Sequence, residues 1–429
     1  MLERLFGVRG AGSTLRVEVI GGATTFMTMA YILFVNGLIL GGAKLAPDQV
    51  LTVTALVAGV TTIAMGLIAN YPFALAPGMG INAAVAGSLV ANQGLTAAEA
   101  MGVIVAEGIV ITLLVVAGVR ERVLDAVPDS LKRAIGAGIG LFLAVIGLAN
   151  GGVVVAGKGT LLTLGDLHTT RVIVFVVGLL IAFALTVRKV KGALLIAIVA
   201  ATVLAFALGE THAPERFVAL PDFSLVGQFS FGFVGKLGAL GAALAVFSLM
   251  LSDFFDTVGT AIGLGEEGGF LDAKRRLPRM NRVLLVDSLA AVAGGVASAS
   301  SATTYIESAA GIADGARTGL ASLVTGVLFL AAMFIGPLAG VVPAAAIASA
   351  LVVVGFLMAG MLRELDWRDV PEAAPAFLTA IVMPFTWSIS NGIGAGVIAH
   401  ALLMTIAGRR VPVLVWCVAV AFGVFFALA

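Results

Sequence analysis

Residues 298–313 read SASSATTYIESAAGIA, and the fold turns on them. The stretch is too short and too polar to cross a bilayer as a plain helix, which needs about 20 apolar residues. Ser300, Ser301, Thr303, Thr304 and Tyr305 crowd hydroxyl and β-branched side chains together, which suits a short extended strand. Glu307 and Ser308 then open a half-helix. A strand leaves backbone N–H and C=O groups free for a planar polar ligand, and the start of a half-helix adds partial positive charge. A second broken stretch, FALAPGMGINAAVAGSLV at 73–90, contains Ala76-Pro77-Gly78-Met79-Gly80. Pro77 removes a donor and the glycines free the backbone, so no regular helix runs through it. Asn82 follows directly. Irregular backbone at membrane depth survives only where it lines a cavity or is buried in protein.

Working outward, the surrounding chain is built for a bilayer. Of 429 residues, 60% are hydrophobic and 11% charged, against roughly 25% charged in an average soluble domain. A soluble fold could not bury that much apolar surface. The 54 glycines suit close helix packing. The net charge of +1 selects no nucleic acid partner, and the single Cys417 excludes an internal disulfide and a multi-cysteine metal site. Met1 to Ser13 reads as a basic lead into a retained span, not as a cleavable signal. Apolar runs at 17–40, 51–70, 98–119, 131–150, 171–187, 192–209, 238–264, 282–298, 318–336, 342–361, 375–390, 392–407 and 411–429 join the two broken stretches. Together they predict about fourteen or fifteen crossings. Past residue 375 the pattern allows three spans, or two with a broken helix.

Loop charges predict the orientation. Arg4, Arg9 and Arg16 open the chain, Arg120, Arg122, Lys132 and Arg133 follow the fourth crossing, and Arg188, Lys189 and Lys191 the sixth. Lys274, Arg275, Arg276, Arg279 and Arg282 follow the eighth, whereas Lys158 and the other intervening cations are sparse. The N-terminus and even-numbered loops are therefore expected in the cytoplasm. Arg409 and Arg410 obey this rule only if 375–407 crosses twice. Each broken stretch is the third crossing of its half, and seven crossings separate the halves. That is the pattern of an inverted repeat with a site at the midplane.

Three carboxyls sit in otherwise apolar or small-residue runs: Asp253 and Asp256 in GALGAALAVFSLMLSDFFDTVGTAIGLG (238–265), and Glu307. An acid at membrane depth costs several kcal/mol and usually marks a pathway or a binding site. Asp253 and Asp256, three residues apart, share a helical face. Asp256 is divided between carrying a proton and bracing helices through hydroxyls. Thr24 and Thr25 in the first span either face the same cavity or pack helices. His168 and His212 fall in loops, and His400 in a late span suits packing better than proton transfer. No His-rich metal pattern or paired nucleophile and base appears, so a transporter is favoured over a membrane enzyme.

TTFMTMAYILFVN (24–36), NYPFALAPGMGINA (70–83), SDFFDTVGT (252–260) and TTYIESAAGIADGARTGL (303–320) resemble the AzgA-type hypoxanthine–guanine permeases of the nucleobase–cation symporter group. The likeness runs over essentially the whole chain. It implies an all-α polytopic membrane protein of fourteen segments in two inverted sevens, with short strands in segments 3 and 10. A core domain would combine residues 1–125 and 237–340, and a gate domain 126–236 and 341–429. The gate would carry a homodimer interface, and the core would move against it like an elevator, coupled to a proton. The family pattern places acidic groups at Asp253, Asp256 and Glu307 and a critical amide at Asn82. Thr257 stands near where related uracil permeases carry a histidine, so their proton route does not transfer directly.

On that resemblance a purine nucleobase (hypoxanthine, guanine or adenine) is the expected substrate, with Asp253 and Glu307 on opposite edges. Backbone groups around Met79–Gly80 and Tyr305–Ile306 would complete the in-plane bonds, with Asn82 and Thr25 nearby. Asp256, Asp253 and Glu307 are the proton-coupling candidates. The proton is the only coupling partner expected, with no metal or other cofactor, in a multi-pass cell-membrane protein. Runner-up readings are a xanthine or uracil permease, and an anion transporter on the same scaffold.

Overall fold

A computed structural model of the chain describes residues 2–118, 128–157, 159–214, 216–272 and 276–428. Arg120, Arg122, Lys158, Lys274 and Arg275, counted above among the loop charges, lie outside the described residues. Among the described residues, nine helices are long and apolar enough to cross a membrane. With shorter apolar helices and two broken segments they order into two sevens. Segments 1 to 7 are Leu15–Gly41, Pro47–Ile68, the broken stretch from Leu75 to Asn92, Ala97–Val116, Asp129–Asn150, Thr170–Val187 and Ala193–Ala207. Segments 8 to 14 are Phe233–Glu267, Met280–Val296, the broken stretch from Ala302 to Ala313, Gly319–Gly340, Ala344–Glu364, Val370–Thr386 and Ile389–Ile406.

The ambiguous end of the chain resolves into three helices. Segments 13 and 14 complete the second seven, and a further helix, Val413–Leu428, follows them. The halves meet through short strands. In segment 3, β1 (Leu75–Pro77) pairs antiparallel with β4 (Ala302–Thr304) of segment 10. The register sets Leu75 opposite Thr304, Ala76 opposite Thr303 and Pro77 opposite Ala302. Between segments 5 and 6 lies an exposed hairpin of β2 (Val154–Ala156) and β3 (Leu162–Leu164), which the hydropathy pattern did not suggest.

Glycine brings the helices into backbone contact where the halves pack. A Cβ on Gly66 of segment 2 would lie 2.4 Å from the Gly319 carbonyl oxygen of segment 11, and one on Gly319 would lie 2.0 Å from that of Gly66. Segments 5 and 12 meet the same way: a Cβ on Gly355 would lie 2.4 Å from the Gly140 oxygen. Such contacts supply the dispersion that holds helices together where lipid offers no hydrophobic contrast.

Polar links between loops join like with like. Lys191 pairs with Asp314, Arg133 Nε lies 3.3 Å from Glu364 Oε2, and Arg409 Nη1 lies 2.5 Å from Asp369 Oδ2; all lie at even-numbered loops. On the odd-numbered side, Lys236 Nζ lies 2.7 Å from Glu99 Oε2, and Gln49 Nε2 donates to Asp222 Oδ2 at 3.0 Å. Even loops thus share one face and odd loops the other, as alternating crossings require. Segments 13 and 14 each cross once, so Arg409 and Arg410 fall on the face of the N-terminal arginines.

Candidate functional site

The site is built around the β1–β4 crossing. A strand of three residues cannot satisfy its own edges, and the side chains around it take over. Thr62 of segment 2 clamps Leu75, accepting from its N–H at 2.9 Å and donating to its carbonyl at 3.1 Å. Tyr305 Oη donates to the Pro77 carbonyl at 2.6 Å, and the Gly78 N–H donates to the Ser301 carbonyl at 2.8 Å. The approach to β4 is tight: Ser298 and Ser300 hold left-handed φ of 59° and 73°. For a non-glycine residue such a conformation costs about 1–3 kcal/mol and persists only where its surroundings enforce it.

Beyond β1, segment 3 continues as the helix Met79–Ala83 and then as π-helix Ala84–Asn92, a form that often marks functional positions. Asn82 is fully buried, and neither its Nδ2 nor its Oδ1 has a partner. A buried amide left unpaired awaits a ligand or a water. Met79 is buried, while Gly80 packs against Ile139 of segment 5.

Segment 8 brings two acids to the crossing, and the structure separates their surroundings although their spacing puts them on one face. Asp253 is 1% exposed and accepts from Ser301 Oγ at 3.1 Å, while its Oδ1 has no such donor. Asp256 is exposed, together with Gly259 and the tip Ile306 of segment 10. An ionisable group facing lipid is costly, so this opening reads as a polar passage between the packed helices. Glu307 caps the six-residue helix Ser308–Ala313 and accepts from Tyr31 Oη of segment 1 at 2.6 Å. Tyr31 sits where the first helix breaks, between Leu15–Met29 and Ile32–Gly41. The other first-segment residues lie elsewhere. Thr25 packs on the Gly311 backbone, and Thr24 donates to Asp314 at 2.6 Å, which places both at helix contacts.

With this geometry in view, a family model described as a permease family (Xan_ur_permease) matches residues 16–395. The chain belongs to that permease family. The adenine permease AdeQ of Escherichia coli (strain K12) is 42% identical over 410 residues, covering 95% of this chain and 91% of the relative. The guanine/hypoxanthine permease PbuO of Bacillus subtilis (strain 168) is 40% identical over 411 residues, covering 94% and 95%. Among solved structures, the transmembrane domain of the cyanobacterial bicarbonate transporter BicA aligns with TM-score 0.67 at 16% identity, covering 89% of this chain and 97% of that one. Murine Slc26a9, an anion transporter, aligns with TM-score 0.67 at 12% identity, covering 92% and 69%. At such identities these structures share the fold alone.

The permease holds two further buried acids that the sequence reading passed over. Asp287 of segment 9 is 3% exposed and binds β4. Its Oδ1 accepts from the Thr304 N–H and Oγ1, each at 2.9 Å, and its Oδ2 accepts from Thr257 Oγ1 at 2.7 Å. Thr303 Oγ1 lies 2.8 Å from Thr257 Oγ1 and extends the chain. Glu107 of segment 4 is fully buried, and neither of its carboxyl oxygens has a hydrogen-bond partner. The signal for both was the one that marked Asp253: a lone acid in an apolar run, here MGVIVAEGIVITLLVV (101–116) and NRVLLVDSLAAVAGGV (281–296).

Proposed function

We propose that this permease imports purine nucleobases by proton symport, holding the base at the β1–β4 crossing between Asp253 and Glu307. The observation that carries the reading is the convergence there of two carboxyls, the unpartnered amide of Asn82 and two strand ends. A carboxylate accepts well from adjacent ring N–H and amino groups, as a bidentate charge-assisted pair. Guanine offers such a pair on one edge and hypoxanthine a single N–H beside a carbonyl. Asn82 offers both donor and acceptor to the opposite polarity. Backbone around Met79–Gly80 and Tyr305–Ile306 would complete the in-plane bonds, and Asp256 in the passage would exchange protons with water. Thr25, held on Gly311, would act through the helix contact only.

Residues 1–125 with 237–340 form a core carrying both broken segments, and 126–236 with 341–429 a gate against which it moves as an elevator. Support comes from the glycine-lined seams, which join segment 2 to 11 and segment 5 to 12. The basic loops support a cytoplasmic N-terminus, and the exposed apolar outer helices suit a homodimer in the cell membrane. Adenine is a second substrate reading, favoured by the 42% identity to an adenine permease. The test is uptake of labelled hypoxanthine into cells, competed by unlabelled guanine, adenine, xanthine and uracil, with and without a protonophore. Competition by purines and collapse with protonophore are expected. Sodium dependence without protonophore sensitivity would overturn proton coupling, and competition by uracil alone would overturn the purine assignment.

A further inference from the structure

Among the acids near the β1–β4 crossing, Glu107 is the most thoroughly enclosed. Its exposure is 0%, and neither carboxyl oxygen meets a hydroxyl, an amide or a cation. The acids nearest it are Asp253 and Asp287; segment 8, which carries Asp253, packs directly on segment 4, and Asp253 Oδ1 is likewise buried without a donor. Segment 4 cannot swing it away. A Cβ on Gly108 would lie 2.7 Å from the Val292 nitrogen of segment 9, and one on Gly295 would lie 2.9 Å from the Val105 nitrogen. Two neighbouring carboxyls stay in a dry core only with a proton between them, because two negative charges repel strongly where water does not screen them.

The neighbouring elements offer no cation to relieve this. Segment 4 packs against segments 8 and 9 and the π-helical end of segment 3. At membrane depth, segment 8 brings Asp253 and Asp256, segment 9 brings Asp287, and the end of segment 3 brings no titratable group. Asp287 has three donors of its own, and Asp256 opens to the passage. Only Glu107 and Asp253 must satisfy each other.

We propose that Glu107 is a positioning residue that shares the transported proton with Asp253, and that this pair, not Asp256 alone, sets the coupling. With the proton on a Glu107 oxygen, Asp253 is a carboxylate and accepts N–H groups from the base. When that proton leaves for water, two bare carboxylates face each other and the pair no longer fits around a substrate. One proton and one base therefore move together. The inference rests on the proton-symport reading above.

The experiment uses the full-length protein in proteoliposomes, with labelled hypoxanthine as the probe and two assays. Counterflow reads exchange, which needs no net proton movement. Accumulation under an imposed pH gradient reads coupling. Glu107→Gln keeps a donor for Asp253 but carries no titrating proton. It is expected to retain counterflow within about threefold while losing accumulation and flattening the pH profile. Glu107→Asp keeps the carboxyl and is expected to restore accumulation with a displaced pH midpoint. Gradient-driven accumulation by Glu107→Gln with the wild-type pH profile would overturn the inference. So would loss of counterflow in a folded Glu107→Gln protein, or an unshifted profile in Glu107→Asp. Absence of accumulation by the wild type would instead overturn the symport reading itself.

Discussion

At the residue scale, the site is held by a few buried polar contacts. Asp287 takes three donors from Thr257 and Thr304, so Asp287→Ala strands the buried N–H and hydroxyl of Thr304, while Thr257 keeps Thr303 as a partner. Each orphaned group costs about 1–3 kcal/mol. The variant should melt well below wild type in detergent, and an unchanged melting temperature would remove Asp287 from the frame of β4. Ser300 gives the opposite sign. Its φ of 73° is strained for a serine, and its buried Oγ has no partner. Ser300→Gly should stabilise by about 1 kcal/mol, read as a higher melting temperature; a fall would show that Oγ has a partner in the working protein.

How much of this was legible in the sequence differs residue by residue. Asp253, Asp256 and Glu307 were visible because acids in apolar runs are costly. Glu107 and Asp287 obey the same rule but stand singly in their spans, whereas Asp253 and Asp256 form an i,i+3 pair and Glu307 adjoins broken backbone. The proposed Glu107–Asp253 pair spans segments 4 and 8 and has no trace in local spacing. The different surroundings of Asp253 and Asp256 were hidden for a related reason: an i,i+3 spacing fixes a face, not the neighbours across it.

At the element scale, the two broken segments were readable from Pro77, the glycines and the hydroxyl run, since these residues defeat a helix wherever they occur. The π-helix Ala84–Asn92 and the β2–β3 hairpin were not, because neither changes composition. The seam between segments 2 and 11 makes a sharper claim. Backbone oxygens stand 2.0–2.4 Å from where side chains would begin at Gly66 and Gly319. Gly66→Val or Gly319→Val must push two packed helices apart, a strain typically of about 1–3 kcal/mol. Reduced yield of folded protein and a lowered melting temperature are expected of either, and wild-type thermal stability in both would show that the seam is looser than drawn.

At the scale of the whole molecule, alternation of crossings organises everything else. It puts β1 and β4 antiparallel and places the ion pairs of even and odd loops on separate faces. Single cysteines at Lys191 and Asp369, in a background with Cys417 replaced, should label with an impermeant thiol reagent only from the side that holds the N-terminus. One at Lys236 should label only from the other side. Labelling of all three from one side would break the alternation and the inverted repeat with it. The resemblance to nucleobase permeases carried the domain scheme and the substrate class, which no spacing rule contains. Conversely, Val413–Leu428 shows that the chain exceeds the plain seven-plus-seven plan by one helix.

If a nucleobase is held between Asp253 and Glu307, uptake must fail when either carboxylate is removed. Asp253→Ala and Glu307→Gln, each verified as folded protein in the membrane, should lose labelled purine uptake to background while wild type accumulates it. Wild-type uptake by either variant would remove that carboxyl from the substrate site.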